Sequence, residues 1–360
     1  MTGVPRVKPE LAAALLDDEE QRDAVDPSGA LGDVEATPRQ WRSARDLPAV
    51  RADTDDADAV IVLGMGGSGI SGDVLATLAA DRLPVPVVVH KGYGLPAYAG
   101  PRTVVAAVSY SGGTEETLSG AEEAVARGAR LLAITSGGAL AELASGAGAA
   151  LVRVPGGGMP RHSLGWLAVP LLTAFGLDDG FDQALAAQEA VLDSWASAVP
   201  TSHNPGKQLA ARLRDGTVAC CYGSQGLGAL AALRLKCQLN ENAKLPAFAA
   251  SVPELCHNEV VGWEGESDLA GRAALLWLSD PEEHPRNARR VDALTALLGD
   301  ALAWSARLEA VSGPPLARLA SLVLQADLLS VYTALVREVD PTPIASIAAL
   351  KDALARQGAA

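Results

Sequence analysis

The sequence predicts an α/β protein with two domains, each built on a doubly wound parallel sheet covered by helices on both faces. The chain has 360 residues, a length that suits two domains of ordinary size. Short runs rich in β-branched residues alternate with segments of helical length, which is typical of buried parallel strands. The alternation restarts near residue 217 with the same order of strand, glycine-containing turn and helix, so the two domains look like diverged copies.

The predicted elements fall into three parts. Residues 1–55 alternate short apolar runs with acidic clusters and proline, and we interpret them as one or two helices packed on the outside of the first domain. The first domain covers residues 56–200 and has predicted strands at 59–64, 85–90, 103–110, 130–135 and 149–154. The second domain covers residues 201–360 and has predicted strands at 217–223, 272–280 and 301–308. Residues 239–263 look like the end of an apolar helix, and an amphipathic helix closes the chain.

The composition argues against several classes of partner. The formal net charge is -14, and the 29 Lys and Arg residues are scattered, so no basic surface is expected to bind nucleic acid. No stretch of eighteen residues looks apolar enough to span a membrane. The four cysteines form no CxxC pair, which indicates reduced thiols in a cytoplasmic protein and makes a zinc site improbable.

Hydroxyl side chains follow a predicted strand in the stretch VSYSGGTEET, residues 108–117. Ser109 lies at the end of the predicted strand, Ser111 lies in a glycine-containing turn, and Thr114 is the predicted N-cap of the next helix. A second turn, GMGGSG at 64–69, carries Ser68. Both turns end strands of one sheet, so their hydroxyls and free helix N–H groups could surround one phosphate. The alternative is that these residues serve only as turn and cap residues.

The same glycine-rich turn also permits a different interpretation. Gly64, Gly66 and Gly69 satisfy the pattern GxGxxG directly after a strand, as in dinucleotide-binding proteins. Those proteins place an acidic residue at the end of the next strand, whereas here that strand ends in His90 and Lys91. The sequence therefore disfavours a nicotinamide cofactor.

Five motifs resemble a known family. GMGGSG and SYSGGTEET are similar to the sugar isomerase (SIS) domain. PGGGMPR (155–161), LNENAKLPA (239–247) and ELCHNEVVGW (254–263) resemble the bifunctional phosphoglucose/phosphomannose isomerases. The similarity runs from about residue 58 to the C-terminus, and its most specific part is NENAK followed by HNE, with Glu241 and His257 sixteen positions apart.

The resemblance implies two SIS domains and an enzyme that interconverts glucose 6-phosphate or mannose 6-phosphate with fructose 6-phosphate, without a metal ion or other cofactor. It implies a homodimer in which the partner subunit supplies His257. The implied site residues are Ser68, Ser109, Ser111 and Thr114 for the phosphate, Gly66 and Gly67 in the substrate loop, Glu241 as base, His257 for ring opening, Arg161 to stabilise the intermediate, and Lys351 to complete the site.

Each implied catalytic residue also has an ordinary structural explanation. Glu241 could pair with Lys244 on the helix surface, and Arg161 could be a surface residue over the glycine-rich turn. His257 could be a helix-terminal or core histidine, and Lys351 could be a solvated residue.

The chain also departs from the family pattern. His162 and Ser163 stand where the family has small apolar residues, which could change the sugar pocket, and Gly113 stands where it often has Asn. Thr342 is a further candidate for lining that pocket.

Two other functions are compatible with parts of the sequence. A regulatory sugar-phosphate-binding protein would need the phosphate residues but not Glu241, His257 and Arg161, so their joint presence favours an enzyme. An amidotransferase or amino-sugar isomerase would also have an SIS fold. Amide transfer needs a nucleophilic cysteine, and the N-terminus has none.

Overall fold

A computed structural model describes residues 14–213, 216–265, 268–299 and 301–357. Of the predicted N-terminal segment, residues 1–13 therefore lie outside the described residues. The rest contains the short helices α1 (Glu19–Val25), α2 (Ala30–Glu35) and α3 (Thr37–Arg45). These helices contribute to two apolar cores: Trp41 packs with the first domain, whereas Leu31 and Val34 pack with the second.

The first sheet has five parallel strands in the order β2-β1-β3-β4-β5, as the alternating pattern predicts. The strands are β1 (Ala59–Leu63), β2 (Val87–His90), β3 (Thr103–Val108), β4 (Arg130–Thr135) and β5 (Ala150–Arg153). The helices that follow them along the chain are α4 (Gly66–Ala79), α5 (Glu115–Ala126), α6 (Gly138–Gly146), α7 (Leu164–Ala174) and α8 (Phe181–Trp195). β1 and β3 are buried along their whole length, which explains their continuous apolar sequence.

The second sheet has four parallel strands in the order β7-β6-β8-β9 and is preceded by α9 (Pro205–Ala210). Its strands and helices are β6 (Val218–Ser224), α10 (Leu227–Glu241), β7 (Ala247–Val252), β8 (Ala273–Ser279), α11 (Pro285–Leu298), β9 (Trp304–Glu309), α12 (Pro315–Val336) and α13 (Ala345–Gln357). The sequence did not predict β7, because this edge strand is rich in alanine and only partly buried.

Close glycine contacts recur where each domain passes from its first strand to the next helix. In the first domain, a Cβ on Gly69 would lie 2.8 Å from the Gly64 carbonyl oxygen. In the second, a Cβ on Gly223 would overlap the carbonyl of Gly228. Both pairs are five residues apart, so the two domains share the same tight strand-to-helix packing that their sequences predict.

Helix α12 lies between the two cores. Leu319 and Val323 belong to the core of the first sheet, whereas Leu328 and Tyr332 belong to that of the second. An 18-residue window within this 22-residue helix has a mean hydropathy of 1.7, so the expectation that no stretch could span a membrane by composition is wrong. The apolar window is completely buried within the protein, which is typical of a central core helix.

Candidate active site

The predicted phosphate turn follows β3, at the carboxyl edge of the first sheet. Ser109 Oγ lies 3.0 Å from Thr114 Oγ1 and accepts a hydrogen bond from the Gly112 N–H at 3.1 Å. Ser111 Oγ accepts from the Gly113 N–H at 3.3 Å. The three hydroxyls predicted to bind phosphate therefore belong to one compact turn.

Ser68 connects this turn to the glycine-rich turn after β1. Its buried Oγ accepts a hydrogen bond from the Tyr110 N–H at 3.2 Å. Tyr110 lies between Ser109 and Ser111 in the sequence. The structure therefore brings all four predicted phosphate residues together, because β1 and β3 are neighbours in the sheet.

Helices α4 and α5 begin at these turns, and neither has a side-chain hydrogen bond that caps its N-terminus. Thr114 is the N-cap of α5, as predicted, but its hydroxyl contacts Ser109 instead of a backbone N–H of the helix. Met65 is the N-cap of α4 and makes no side-chain cap either. Uncapped N–H groups at a helix N-terminus are well suited to binding an anion.

Gly67 brings the glycine-rich turn against Arg161. A Cβ on Gly67 would lie 2.9 Å from the Pro160 carbonyl oxygen and 3.3 Å from Arg161 Cα. Arg161 lies in a short 3-10 helix, Pro160–His162. Only glycine permits this close approach, so the predicted phosphate turns and Arg161 lie side by side.

The Arg161 side chain is buried, with a relative exposure of 2%, so the alternative of a surface arginine is wrong. Its Nε donates to Asn242 Oδ1 at 2.6 Å. Its Nη2 donates to the carbonyl oxygens of Pro341 and Thr342 at 2.8 and 2.7 Å. Burial lowers the pKa of Arg161, and the nearby Glu241 opposes this effect. The guanidinium is thus held by fixed acceptors from the second half of the chain.

Glu241 is the last residue of α10, and its Oε2 lies 3.8 Å from Arg161 Nη1. Its side chain remains 27% exposed, so solvent or a ligand can reach the carboxylate. The alternative in which Glu241 pairs with Lys244 is not what the structure shows. Lys244 Nζ instead donates to the carbonyl oxygens of Asn242, Asp340 and Pro341. The arrangement pairs a partly exposed carboxylate with a buried cation whose backbone lies against the glycine-rich turn.

His257 and Lys351 stand apart from this cluster. His257 ends the 3-10 helix Glu254–His257 after β7, and its side chain is exposed. Lys351 is exposed on α13, which also presents Ile347, Leu350 and Leu354 to solvent. Among the residues that the structure describes, neither side chain forms a hydrogen bond or ion pair with Glu241 or Arg161.

His162 and Ser163 lie beside the N-terminal helices. The His162 Nδ1 is 3.8 Å from Asp33 Oδ2, and Ser163 Oγ donates to the Met159 carbonyl at 2.8 Å. Both residues line a cavity of about 350 Å³ that Gln40 and other residues of that segment also border. Both positions therefore lie at a cavity shared with the first helices, and Gln40 Nε2 donates to the His162 carbonyl oxygen at 2.8 Å.

Sequence reasoning missed several residues that hold the site together. Asn242 was interpreted only as part of the NENAK motif, and the buried residues Arg234, Gln238, Asp327 and Ser330 were not singled out. The available signal was polar residues at four-residue spacing in the apolar helix α10. Among the described residues, no group of three or more His, Cys, Asp or Glu side chains is placed to hold a metal ion.

This chain matches two protein-family models and is similar to proteins of known family. Residues 55–147 match the SIS domain model, and residues 202–354 match the model for the bacterial phospho-glucose isomerase C-terminal SIS domain. The bifunctional phosphoglucose/phosphomannose isomerase of Caldicellulosiruptor bescii is 37% identical over 314 residues, which cover 85% of this chain and 92% of the relative. That of Aquifex aeolicus is 37% identical over 296 residues, which cover 82% and 90%.

A solved structure shows the same fold. The glucose-6-phosphate isomerase like protein from Thermus thermophilus superposes with a TM-score of 0.62 at 18% identity. The superposition covers 94% of this chain and 98% of that protein. At this level of identity the likeness concerns the fold alone.

Proposed function

The chain belongs to the bifunctional phosphoglucose/phosphomannose isomerase family, and we propose that it interconverts glucose 6-phosphate and mannose 6-phosphate with fructose 6-phosphate through proton transfer by Glu241. The observation that carries this proposal is the 3.8 Å approach of Glu241 Oε2 to Arg161 Nη1, next to the phosphate turns. A base beside a fixed cation is what an aldose–ketose isomerisation needs.

The phosphate binds away from the reacting carbons. Ser68, Ser109, Ser111 and Thr114, with the uncapped N-termini of α4 and α5, are the groups that hold it. A protein with a net charge of -14 depends on such local donors to attract an anion. Binding energy from the phosphate then orients C1 and C2 toward Glu241.

Glu241 removes the proton from C2 of the open-chain aldose, and the electron pair of that C–H bond forms the double bond of a cis-enediolate. Arg161 Nη1 stabilises the negative charge that develops on oxygen. Return of the proton from Glu241 to C1, with transfer of a hydroxyl proton from O2 to O1, gives the ketose. Glucose and mannose phosphates differ only at C2, which is planar in the enediolate, so one site can serve both substrates.

His257 opens the sugar ring, and in this proposal it comes from the partner subunit of a homodimer. Its exposed position after β7 supports this role, because an exposed side chain can reach a neighbouring subunit. Lys351 completes the site from α13, whose exposed apolar side chains are also available to pack on another surface. No step in this scheme requires a metal ion.

A coupled assay tests the proposal. The purified protein is given glucose 6-phosphate, mannose 6-phosphate or, in the reverse direction, fructose 6-phosphate, with and without EDTA. We expect turnover of both aldose phosphates and no effect of EDTA. If none of these sugars reacts while fructose 6-phosphate still raises the melting temperature, the protein is a sugar-phosphate sensor and the proposal is wrong.

A further inference from the structure

A line of buried polar side chains crosses the apolar contact between α10 and α12 and ends at Arg161. We call it the polar seam; its members are Arg234 and Gln238 on α10, Asn242 at the C-cap of α10, and Asp327 and Ser330 on α12. Arg234, Gln238 and Asn242 are spaced four positions apart, so they lie along one face of that helix and its C-terminal end. None of the seam residues is among those that the family resemblance assigns to the site.

The centre of the seam is an ion pair. Arg234 Nε and Nη2 donate to Asp327 Oδ1 and Oδ2, both at 2.9 Å, and Gln238 Nε2 donates to Asp327 Oδ1 at 2.9 Å. The side chains of the pair are only 1% and 6% exposed. A buried ion pair contributes little net stability compared with apolar residues of similar size, because desolvation offsets the attraction. Stability alone therefore does not explain the seam.

The seam holds the backbone of Arg161. Arg234 Nη2 donates to the Arg161 carbonyl oxygen at 2.5 Å, and Gln238 Nε2 lies 3.5 Å from the same oxygen. A carbonyl between two donors on a rigid helix has little freedom to rotate. The ion pair thus fixes the chain at the point where the Arg161 side chain begins.

The seam also holds the side chain. Asn242 Oδ1 accepts from Arg161 Nε at 2.6 Å, while Asn242 Nδ2 donates to Ser330 Oγ at 2.9 Å. Ser330 Oγ in turn donates to the Asp327 carbonyl at 2.7 Å. Of the five N–H groups of the guanidinium, Nε and the two on Nη2 are occupied, so the Nη1 group remains to face Glu241.

We propose that the polar seam consists of positioning residues that keep Arg161 Nη1 directed at the reacting carbons beside Glu241. This inference rests on the proposed isomerase function. Arg161 acts on the developing oxyanion only if its guanidinium is already oriented, and a displacement of about 1 Å can cost on the order of 10²-fold in rate. The seam provides that orientation from the second domain.

A double substitution separates positioning from stability. In Arg234→Met/Asp327→Leu both charges are replaced by apolar side chains, so we expect a melting temperature within about 5 °C of the wild type. We expect kcat to fall at least about tenfold, while KM for fructose 6-phosphate changes by less than about twofold, because the phosphate residues are untouched. A folded double variant with wild-type kcat would overturn the proposal.

The matched control is another buried ion pair of α12, between Arg318 Nε and Asp280 Oδ1 at 2.8 Å. Arg318 lies nine residues before Asp327, about 13 Å along the helix. Arg318→Met/Asp280→Leu removes this pair, together with the ion pair of Arg318 Nη1 with the exposed Glu282, and among the described residues neither Arg318 nor Asp280 hydrogen-bonds to Arg161. We expect kcat within about twofold of the wild type.

If the double variant does not fold, substitutions of Asn242 test whether the polar seam positions Arg161. Asn242→Leu removes the acceptor for Arg161 Nε, whereas Asn242→Asp keeps it. We expect the Leu variant to lose at least about tenfold in kcat and the Asp variant to recover most of that loss. Equal activity of the two variants would contradict positioning through this bond. If the wild type itself shows no turnover, it is the proposed function that fails.

Discussion

Arg161 Nη1 and Glu241 Oε2 lie 3.8 Å apart, and the two residues come from different halves of the chain. Arg161 follows the last strand of the first sheet, whereas Glu241 ends the first helix after β6 of the second. The site therefore forms only when the two units pack against each other. α12, which contributes to both cores, fixes that packing.

Arg161→Lys should reduce both activity and stability. Lysine keeps the charge but lacks the planar fork that serves Asn242, Pro341 and Thr342 at once. We expect kcat to fall at least about tenfold, and the free energy of unfolding to fall by about 2 kcal/mol because buried acceptors lose their donors. Steady-state kinetics and urea unfolding measure the two effects. The exposed Arg153 provides the control, since Arg153→Lys should change neither quantity.

Gly67→Ala should disrupt the contact between the glycine-rich turn and Arg161. The added Cβ would lie 2.9 Å from the Pro160 carbonyl oxygen, so the backbone at Arg161 must move. We expect kcat/KM to fall at least about tenfold, together with a lower melting temperature. Gly146 on α6 has no heavy atom within 4 Å of an added Cβ, so Gly146→Ala should leave both values unchanged or raise stability slightly. Equal behaviour of the two variants would argue against this contact.

Subunit mixing tests the shared site. Glu241→Gln and His257→Ala should each abolish most activity as separate homodimers. If the partner subunit supplies His257, half of the dimers in a random 1:1 mixture are mixed and carry one intact site, so about a quarter of wild-type activity should return. The mixture is made by co-expression and assayed after co-purification. Sites formed within a single chain would give no recovery.

Cys220 and Cys221 should resist alkylation in the folded protein, because both are buried. Burial and the nearby Glu259 together raise the pKa of Cys220 to about 11, and burial also raises the pKa of Cys221. The thiolate is the reactive form, and at pH 8 only about one Cys220 in a thousand would be ionised. Mass spectrometry after iodoacetamide treatment should show both residues unmodified at pH 8 and modified in 8 M urea. Rapid alkylation of native protein at pH 8 would contradict this.

Much of the first domain could be predicted from the sequence because its central strands β1 and β3 are buried along their whole length. Continuous apolar runs such as 59–64 and 103–110 indicate strands without any knowledge of their neighbours. β7 lacks such a continuous apolar run, because an edge strand buries little apolar surface. Its alanines are compatible with several types of secondary structure. The apolar composition of α12 was also not recognised, although it marks the helix that packs on both cores.

The site could be predicted in part. Hydroxyls at the ends of neighbouring strands predicted that Ser68, Ser109, Ser111 and Thr114 lie together, because the carboxyl ends of parallel strands meet at one edge of a sheet. The contact between Arg161 and Asn242 joins residues that are 81 positions apart, and no local pattern indicates such a pair. Asp327 and Ser330 could not be identified for the same reason, because their partners are distant in the sequence and lie on another helix.

The most direct test of the central claim is turnover by Glu241→Gln, compared with its ability to bind fructose 6-phosphate. Glutamine has nearly the same shape as glutamate but cannot accept the C2 proton. We predict that kcat falls by about 10²-fold or more, while fructose 6-phosphate still raises the melting temperature as it does in the wild type. Turnover at the wild-type rate would contradict the assignment of Glu241 as the base.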